Sequence, residues 1–127
     1  MAYVKKRKFP KKEGAFLREF MGEFEKDSTC WYFKTHGEPM QTRGIPDVII
    51  CYSGLFISIE FKIMRGNKLN ITPYQDYMAE KICKAKGIHL FVWYDENTKE
   101  IGIGMKRFKD KVQAISYLKK ILKTYKV

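Results

Sequence analysis

The stretch that decides the fold is RGIPDVIICYSGLFISIEFK, Arg43–Lys62, in which two apolar segments flank the dipeptide Ser53-Gly54. A two-residue turn at this dipeptide joins the segments as a β-hairpin and pairs Tyr52 with Leu55. Every other pair in the hairpin then follows by counting outward from the turn. The sequence therefore predicts the register of two neighbouring strands as well as their existence.

This register gathers charged residues at one end of the hairpin. Asp47 falls directly opposite Glu60, with their Cβ atoms about 4.5–5.5 Å apart. Lys62 leaves the same face, since it lies two residues beyond Glu60 on one strand. The opposite face carries apolar side chains: Val48, Ile50, Ile57, Ile59 and Phe61. We expect the apolar face to enter the core and the other face to hold Asp47, Glu60 and Lys62.

Two carboxylates that face each other across a strand pair repel and destabilise the pair. A divalent cation offsets this repulsion, and Mg²⁺ commonly binds one or two carboxylates together with waters and phosphate oxygens. A lysine beside them can orient a water or neutralise a developing negative charge. On the register alone, a simple salt bridge between Lys62 and Asp47 or Glu60 stays open as the alternative.

The composition indicates one globular domain that binds a polyanion. The 127 residues are 45% hydrophobic and 15% aromatic, which suffices for a core and argues against disorder. The net charge of +11 favours nucleic acid, although charge alone separates neither DNA from RNA nor a nuclease from a passive binder. No membrane span or signal peptide is recognisable, and three separated cysteines fit free thiols, so we expect a cytoplasmic protein without membrane contact.

Periodicity predicts the element order α-β-β-β-α-β, followed by a small strand and a basic C-terminal helix. We expect a basic tail over residues 1–12 and a single domain over 13–127. The expected helices cover about 13–26, 72–86 and 109–125, and the expected strands about 30–35, 46–52, 55–63, 88–94 and, as a sheet edge, 101–105. A mixed central β-sheet flanked by helices is the natural packing of this α/β pattern.

The second helix has the clearest boundaries. Thr72 suits the N-cap, Pro73 the first helical position and Gln75 the third position of a capping box. Gly87 suits the position just after the helix. Gln75 can cap its own helix, reach the charged end of the hairpin, or do both.

The segments GIPD, ending at Asp47, and EFK, Glu60–Lys62, together resemble the PD-(D/E)xK nuclease superfamily. The segments WYFKTHG, LNITPYQ and KAKGIHLFVW occur in the order seen in VRR-NUC domains, especially the small standalone ones of bacteriophages and bacteria. The resemblance covers about residues 13–94, and leaves the tail and the final helix outside. It implies a restriction-endonuclease-like core and metal-dependent cleavage of phosphodiester bonds.

The resemblance also implies roles for individual residues. Asp47, Glu60 and the main-chain carbonyl of Phe61 correspond to ligands of Mg²⁺, for which Mn²⁺ can substitute. Lys62 corresponds to the catalytic lysine, and Gln75 to a glutamine of the site on the following helix. The helix-borne glutamate of the family, a further metal ligand, is best matched by Glu13, with Glu19 and Glu25 as alternatives.

Basic residues near the expected site are candidate contacts to a nucleic-acid backbone: Lys34, His36, Arg43 and Lys68. Trp31, Tyr32 and Phe33 are expected in the core rather than against bases. Standalone VRR-NUC proteins look like junction resolvases, so the resemblance implies a homodimer that cuts four-way junctions or flaps in DNA replication, recombination or repair, in a bacterial or phage-infected cell. The alternatives are a non-catalytic DNA-binding module with the same fold, a restriction enzyme and an RNA substrate.

Overall fold

The computed structural model describes residues 12–26, 29–35 and 43–125, and these form one mixed sheet with three helices. The α/β class and the helix-flanked mixed sheet are as predicted. Apart from Lys12, the expected basic tail lies outside the described residues. The elements in chain order are α1 (Glu13–Phe24), β1 (Cys30–Lys34), β2 (Val48–Tyr52), β3 (Leu55–Met64), α2 (Pro73–Lys84), β4 (Ile88–Asp95), β5 (Ile101–Ile103), β6 (Lys106–Phe108) and α3 (Lys111–Leu122).

The six strands lie side by side in the order of the chain, from β1 at one edge to β6 at the other. Neighbouring strands are antiparallel except for β3 and β4, which are parallel. A parallel pair needs a crossover connection, and α2 provides it. This crossover brings the start of α2 back to the end of β3.

The predicted hairpin register is confirmed. Tyr52 pairs with Leu55, and the ladder ends where Val48 pairs with Ile59. Ser53 and Gly54 have φ angles of +49° and +83°, as a type I′ turn requires at both central positions. The twist of that turn matches the twist of the flanking strands, so it holds the register that aligns Asp47 with Glu60.

The main core lies between one face of the sheet and the pair α1 and α3. Helix α1 buries all five of the apolar residues that recur there at helical spacing: Phe16, Leu17, Phe20, Met21 and Phe24. Phe16 and Phe20 pack edge-on against Phe61, with ring centroids 5.5 Å apart in each case. In α3 the helical spacing predicts six apolar residues on or near one stripe: Val112, Ile115, Leu118, Ile121, Leu122 and Tyr125. Val112, Ile121 and Tyr125 are exposed, because they flank or follow the buried part of this stripe. The buried residues of α3 are Ala114, Ile115, Leu118 and Leu122.

Two strand predictions need correction. The expected edge strand over 101–105 ends at Ile103, because the chain turns through Gly104 and returns as β6, which forms the true edge. Trp31 and Phe33 are exposed rather than buried, because helices α1 and α3 cover only the face of β1 that Cys30 and Tyr32 share. An edge strand covered on one face presents every second side chain to solvent.

The second helix follows its prediction closely. Thr72 is the N-cap, and the Thr72 and Gln75 side chains form the expected capping box. The helix ends at Lys84, and Lys86 rather than Gly87 adopts the left-handed conformation, with φ +75°. Within the described residues no helix is long and apolar enough to span a membrane. Cys30, Cys51 and Cys83 form no disulfide.

Candidate active site

The candidate site lies where β3 continues beyond the end of its partner β2. Past Val48 the β2 ladder has ended, so the next main-chain groups of β3 need other partners. The Phe61 N–H donates to Asp47 Oδ2 at 2.8 Å. The Ile63 N–H donates to the carboxylate of Glu13. The side chains of Asp47 and Glu13 thus bind main-chain groups of β3 that a longer β2 would otherwise pair.

The main-chain carbonyl of Phe61 opens toward the same gap. In an extended strand the N–H and C=O of one residue point to the same neighbour. Because the N–H of Phe61 faces Asp47, its carbonyl oxygen also lies on that side. The carbonyl oxygen is a neutral atom that can bind a metal ion, and it lies on the same side of β3 as the carboxylate of Asp47. The resemblance implies this role for it.

Asp47 and Glu60 are held close together in a poorly solvated position. Glu60 is only 4% exposed, and its carboxyl group shares a hydrogen bond with that of Asp47. Burial, followed by the nearby charge of Asp47, raises the pKa of Glu60 to about 8. Burial also raises the pKa of Asp47. Without a cation, the pair therefore retains one proton near neutral pH, shared between the two carboxyl groups.

Gln75 fills both of its predicted roles. Its Nε2 donates to Glu60 Oε2 at 2.9 Å, which fixes the orientation of that carboxyl group. Its Oε1 accepts from the Thr72 N–H at 3.0 Å, and its own N–H donates to Thr72 Oγ1 at 3.1 Å. The capping box therefore fixes the side-chain amide of Gln75, whose Nε2 holds the carboxyl group of Glu60.

The loop that carries Asp47 is tied to the start of α2 by a close backbone approach. Gly44 has φ +83°, and a Cβ atom there would lie 2.3 Å from the main-chain oxygen of Tyr74. On the other side, Thr35 Oγ1 donates to the Pro46 carbonyl at 2.7 Å. The loop is therefore clamped between β1 and α2, which sets the position of Asp47 relative to Gln75.

Gly44→Ala is expected to weaken the fold by about 1–3 kcal/mol, since both the left-handed φ and the contact with Tyr74 oppose a Cβ atom. Thermal unfolding by circular dichroism measures the change. The control is Gly22→Ala, because Gly22 lies in α1 with open space around it. That variant should gain about 0.5–1 kcal/mol from helix propensity. Equal stability of the two variants would contradict the proposed clamp.

Lys62 lies beside the carboxylates, although it does not point straight at them. It is 7% exposed, and its Nζ donates to the main-chain oxygen of Asn70 at 2.6 Å. Its charge still acts on Asp47 and Glu60, whose pKa values it lowers in part against the larger effect of burial. The ammonium group has two further hydrogens, so it can donate to a water or a phosphate oxygen while it holds Asn70.

Among the three glutamates considered for α1, Glu13 reaches the site. Burial raises the pKa of its carboxyl group, and the charges of Lys62 and Asp47 act on it as well. Glu25 instead accepts a hydrogen bond from the Tyr32 hydroxyl at 3.2 Å, and the charge of Glu19 acts on Tyr94. The first turn of α1 therefore supplies the third acidic group, at the rim of the site.

The candidate contacts to nucleic acid are placed around this rim. Lys34, Arg43 and Lys68 are exposed, and the charge of Lys34 acts on Asp47. Arg43 lies over the ring of Tyr74, 5.2 Å from its centroid. His36 lies outside the described residues.

Sequence reasoning missed one basic residue of the rim, Arg65. Its charge acts on Glu13, and its main chain forms a tight two-way bridge with Lys68 after β3. Arg65 also pairs with Glu96 at 3.3 Å, which orients the side chain. The signal in the sequence is a basic residue three positions beyond Lys62, at the end of a strand.

The residues present fit a divalent cation. Within the described residues, no three His, Cys, Asp or Glu side chains come together as a ligand cluster. The donor set is Asp47, Glu60 and the Phe61 carbonyl, an all-oxygen set that leaves further positions to water and phosphate, as Mg²⁺ prefers. A cation would take the place of the proton that the carboxyl pair now shares, and so relieve its repulsion.

The raised pKa of Glu60 makes the stability of the metal-free protein depend on pH. Between the ordinary pKa of 4.5 and about 8, folded Glu60 holds a proton that the unfolded chain releases. Stability should therefore fall as pH rises through this window, by at most about 1.4 kcal/mol per pH unit from this group. Denaturant unfolding in EDTA across the window measures the slope. Glu60→Gln should flatten it, and an unchanged slope would contradict the assignment.

The chain matches no protein-family model, and no significant match was found among curated proteins. The geometry of the site therefore carries the functional argument.

Proposed function

We propose that this protein is a divalent-metal-dependent endonuclease of the VRR-NUC type, which hydrolyses phosphodiester bonds in DNA. The observation that carries the proposal is the pairing of half-buried Asp47 with buried Glu60 beside the Lys62 ammonium, where β3 continues beyond the end of β2. A fold gains nothing from burying two carboxylates against each other, because the pair is destabilising without a cation. Such strain is typical of a site kept for chemistry.

Each residue of the site has a defined task in this proposal. A bound Mg²⁺ supplies a Lewis acid that lowers the pKa of a water and neutralises charge on the phosphate. Asp47 and Glu60 provide the anionic ligands, and their orientations are fixed by the Phe61 N–H and by Gln75. Glu13, held by the Ile63 N–H, can accept a hydrogen bond from a water at the rim.

Lys62 is placed to act on the attacking water or on the phosphate. Its stem is packed in the sheet and its Nζ is anchored by the Asn70 oxygen, so little conformational freedom remains to be lost when substrate binds. The ammonium can stabilise negative charge on the phosphate, or its amine form can help to deprotonate the water. Both tasks require a nitrogen at this position.

The proposed substrate is branched DNA, such as a four-way junction or a flap, cut during replication, recombination or repair. Exposed basic residues surround the site, and the chain carries a net charge of +11, which suits a polyanion. Phosphate contacts position DNA without reporting its sequence, so selection by shape is the simpler mode for a chain of this size. A homodimer in the cytoplasm of a bacterium or a phage-infected host completes the proposal, since paired cuts suit a two-fold assembly.

The test is cleavage of labelled four-way junction, flap, linear duplex, single strand and RNA, with Mg²⁺, with Mn²⁺ and with EDTA. Metal-dependent cleavage of a branched DNA supports the proposal, and the preferred substrate defines the role. If no substrate is cut with either metal while DNA is still bound, the protein is a binding module with a nuclease-like fold. Cleavage of RNA alone would overturn the assignment to DNA.

A further inference from the structure

An uncovered aromatic surface lies on the same sheet face as the candidate site. We define it as Trp31 and Phe33 of β1 with Phe56 of β3, which are 62%, 50% and 47% exposed. Helix α2 packs on this face against β4, and none of the helices in the described part of the chain covers the β1 side. The phenylalanines of α1 and Phe61 of β3 are buried. Three exposed rings on one sheet face are unusual beside them, and they indicate a binding surface.

The strand register sets the distance from the aromatic surface to the site. Trp31 pairs with Cys51, which pairs with Phe56, so these three side chains form one row across the sheet. Phe33 pairs with Ile49 and belongs to the next row toward the site.

The row after that contains the catalytic candidates. The Thr35 N–H donates to the Asp47 carbonyl, and Asp47 shares a hydrogen bond with Glu60. Rows on one face are two residues, or about 7 Å, apart. Phe33 therefore lies about one row, and Trp31 about two rows, from the carboxylates.

Two basic residues, Lys81 of α2 and Arg43 of the loop before β2, form a basic wall beside this surface. Phe56 and Lys81 line one cavity of about 360 Å³, together with Ile82, Ala85 and Gly87. Tyr74 lies two helical turns before Lys81 on the same face, and Arg43 lies over its ring. The acidic residues Asp76 and Glu80 occupy a neighbouring stripe of α2, and Glu80 is 3.9 Å from Lys84. Phosphates are therefore expected on the Arg43 and Lys81 side.

We propose that the aromatic surface binds unpaired nucleotides of the strand whose phosphate is held at Asp47 and Glu60. Aromatic rings stack on the faces of bases without regard to sequence, and a basic groove beside them follows the backbone. Base faces are accessible only where the strand is unpaired. This inference rests on the proposed function and narrows its substrate to DNA with a single-stranded segment next to the cleaved bond.

Charge favours a nucleic acid over a second copy of this chain as the occupant. An apolar edge strand such as β1 can also pair with its equivalent in another molecule. A second copy carries the same net charge of +11 and gains nothing from the basic wall, whereas a polyanion is attracted to it. The proposed homodimer would then use another surface. The second copy is therefore the competing outcome of the test.

The experiment is a titration in EDTA, so that binding is measured without cleavage. The probes are an oligothymidylate of about 12 nucleotides, within the range that such surfaces cover, and a blunt duplex of similar length. The chain has two tryptophans, and Trp93 is 4% exposed, so quenching of tryptophan fluorescence reports chiefly on Trp31. Anisotropy of labelled oligonucleotide gives the affinities of all variants.

We expect oligothymidylate to quench Trp31 and to bind the wild type more tightly than Trp31→Ala or Phe33→Ala, by about 5- to 100-fold each. Trp31→Phe should retain most of the affinity, because a phenyl ring still stacks. Tyr125→Ala, a change at another exposed aromatic residue beyond α3, should bind as the wild type does. The blunt duplex should bind all these proteins with similar affinity.

Unchanged oligonucleotide affinity in Trp31→Ala and Phe33→Ala would overturn the inference. So would sedimentation of the wild type as a dimer that Trp31→Ala converts to monomer without loss of oligonucleotide binding. Failure of the proposed function alone gives a different result. Oligothymidylate still quenches the fluorescence and still binds Trp31→Ala and Phe33→Ala more weakly than the wild type, while no substrate is cut with Mg²⁺ or Mn²⁺.

Discussion

Asp47→Asn is expected to abolish cleavage and at the same time to stabilise the fold. The Asn side-chain oxygen can still accept the Phe61 N–H, so the local structure is retained. The variant lacks one of the two anionic ligands, and we expect the cleavage rate to fall by at least about 10²–10³-fold. It also removes the negative charge that, after burial, raises the pKa of Glu60, so the free energy of unfolding should rise by about 1–2 kcal/mol.

Single-turnover cleavage and thermal unfolding in EDTA measure the two effects on one protein. The matched control is Asp110→Asn, which makes the same chemical change at the N-cap of α3, where Asn caps as well as Asp. The control should keep both wild-type activity and wild-type stability. A destabilised Asp47→Asn variant would mean that Asp47 serves the fold, as in a salt-bridged strand end.

A second consequence of the same variant concerns the metal. A ligand that binds only the folded state raises its stability, by about 2.7 kcal/mol at a concentration 100 times the dissociation constant. Mg²⁺ should therefore raise the melting temperature of the wild type and leave that of Asp47→Asn almost unchanged. This readout is independent of any substrate.

The hairpin shows why part of the site could be predicted from sequence. A two-residue turn fixes which residues face each other, so the pairing of Tyr52 with Leu55 determined the whole ladder. Because successive side chains of a strand point to opposite faces, each residue of the hairpin could then be assigned to one face of the sheet. Local rules of this kind were sufficient to bring Asp47 and Glu60 together, and the Thr72 cap placed Gln75 on the following helix.

Other features depend on contacts that sequence does not encode locally. Glu13 was preferred to Glu19 and Glu25 on the resemblance alone, because the choice depends on how far β3 extends past β2 and where α1 begins relative to Ile63. The exposure of Trp31 and Phe33 depends on which face of an edge strand lacks a helix. The aromatic residues of β1 were predicted to lie in the core because aromatic side chains are mostly buried on average. That average does not say which face of a particular strand is covered.

Lys62→Met is expected to leave DNA binding intact and to remove catalysis. Methionine keeps much of the packed aliphatic stem of a side chain that is 7% exposed, but it has no charge and no donor for the Asn70 oxygen. We expect the single-turnover rate to fall by about 10²–10⁴-fold, the range for loss of a positioned acid–base group. The affinity for uncut branched DNA in EDTA should change by less than about threefold, because this residue is not part of the exposed rim. Lys109→Met, an exposed position before α3, is the control for loss of a positive charge.

Lys62→Arg separates the two tasks that the geometry permits. Arginine keeps the positive charge but does not give up its proton in a protein, so it can stabilise a phosphate but cannot accept a proton from water. Substantial activity in Lys62→Arg, with none in Lys62→Met, would assign charge stabilisation. Equal loss in both variants, with circular dichroism confirming that both fold, would assign proton transfer. Wild-type cleavage by Lys62→Met would contradict a catalytic role, and Lys62 would then serve to hold the connection between β3 and α2 through Asn70.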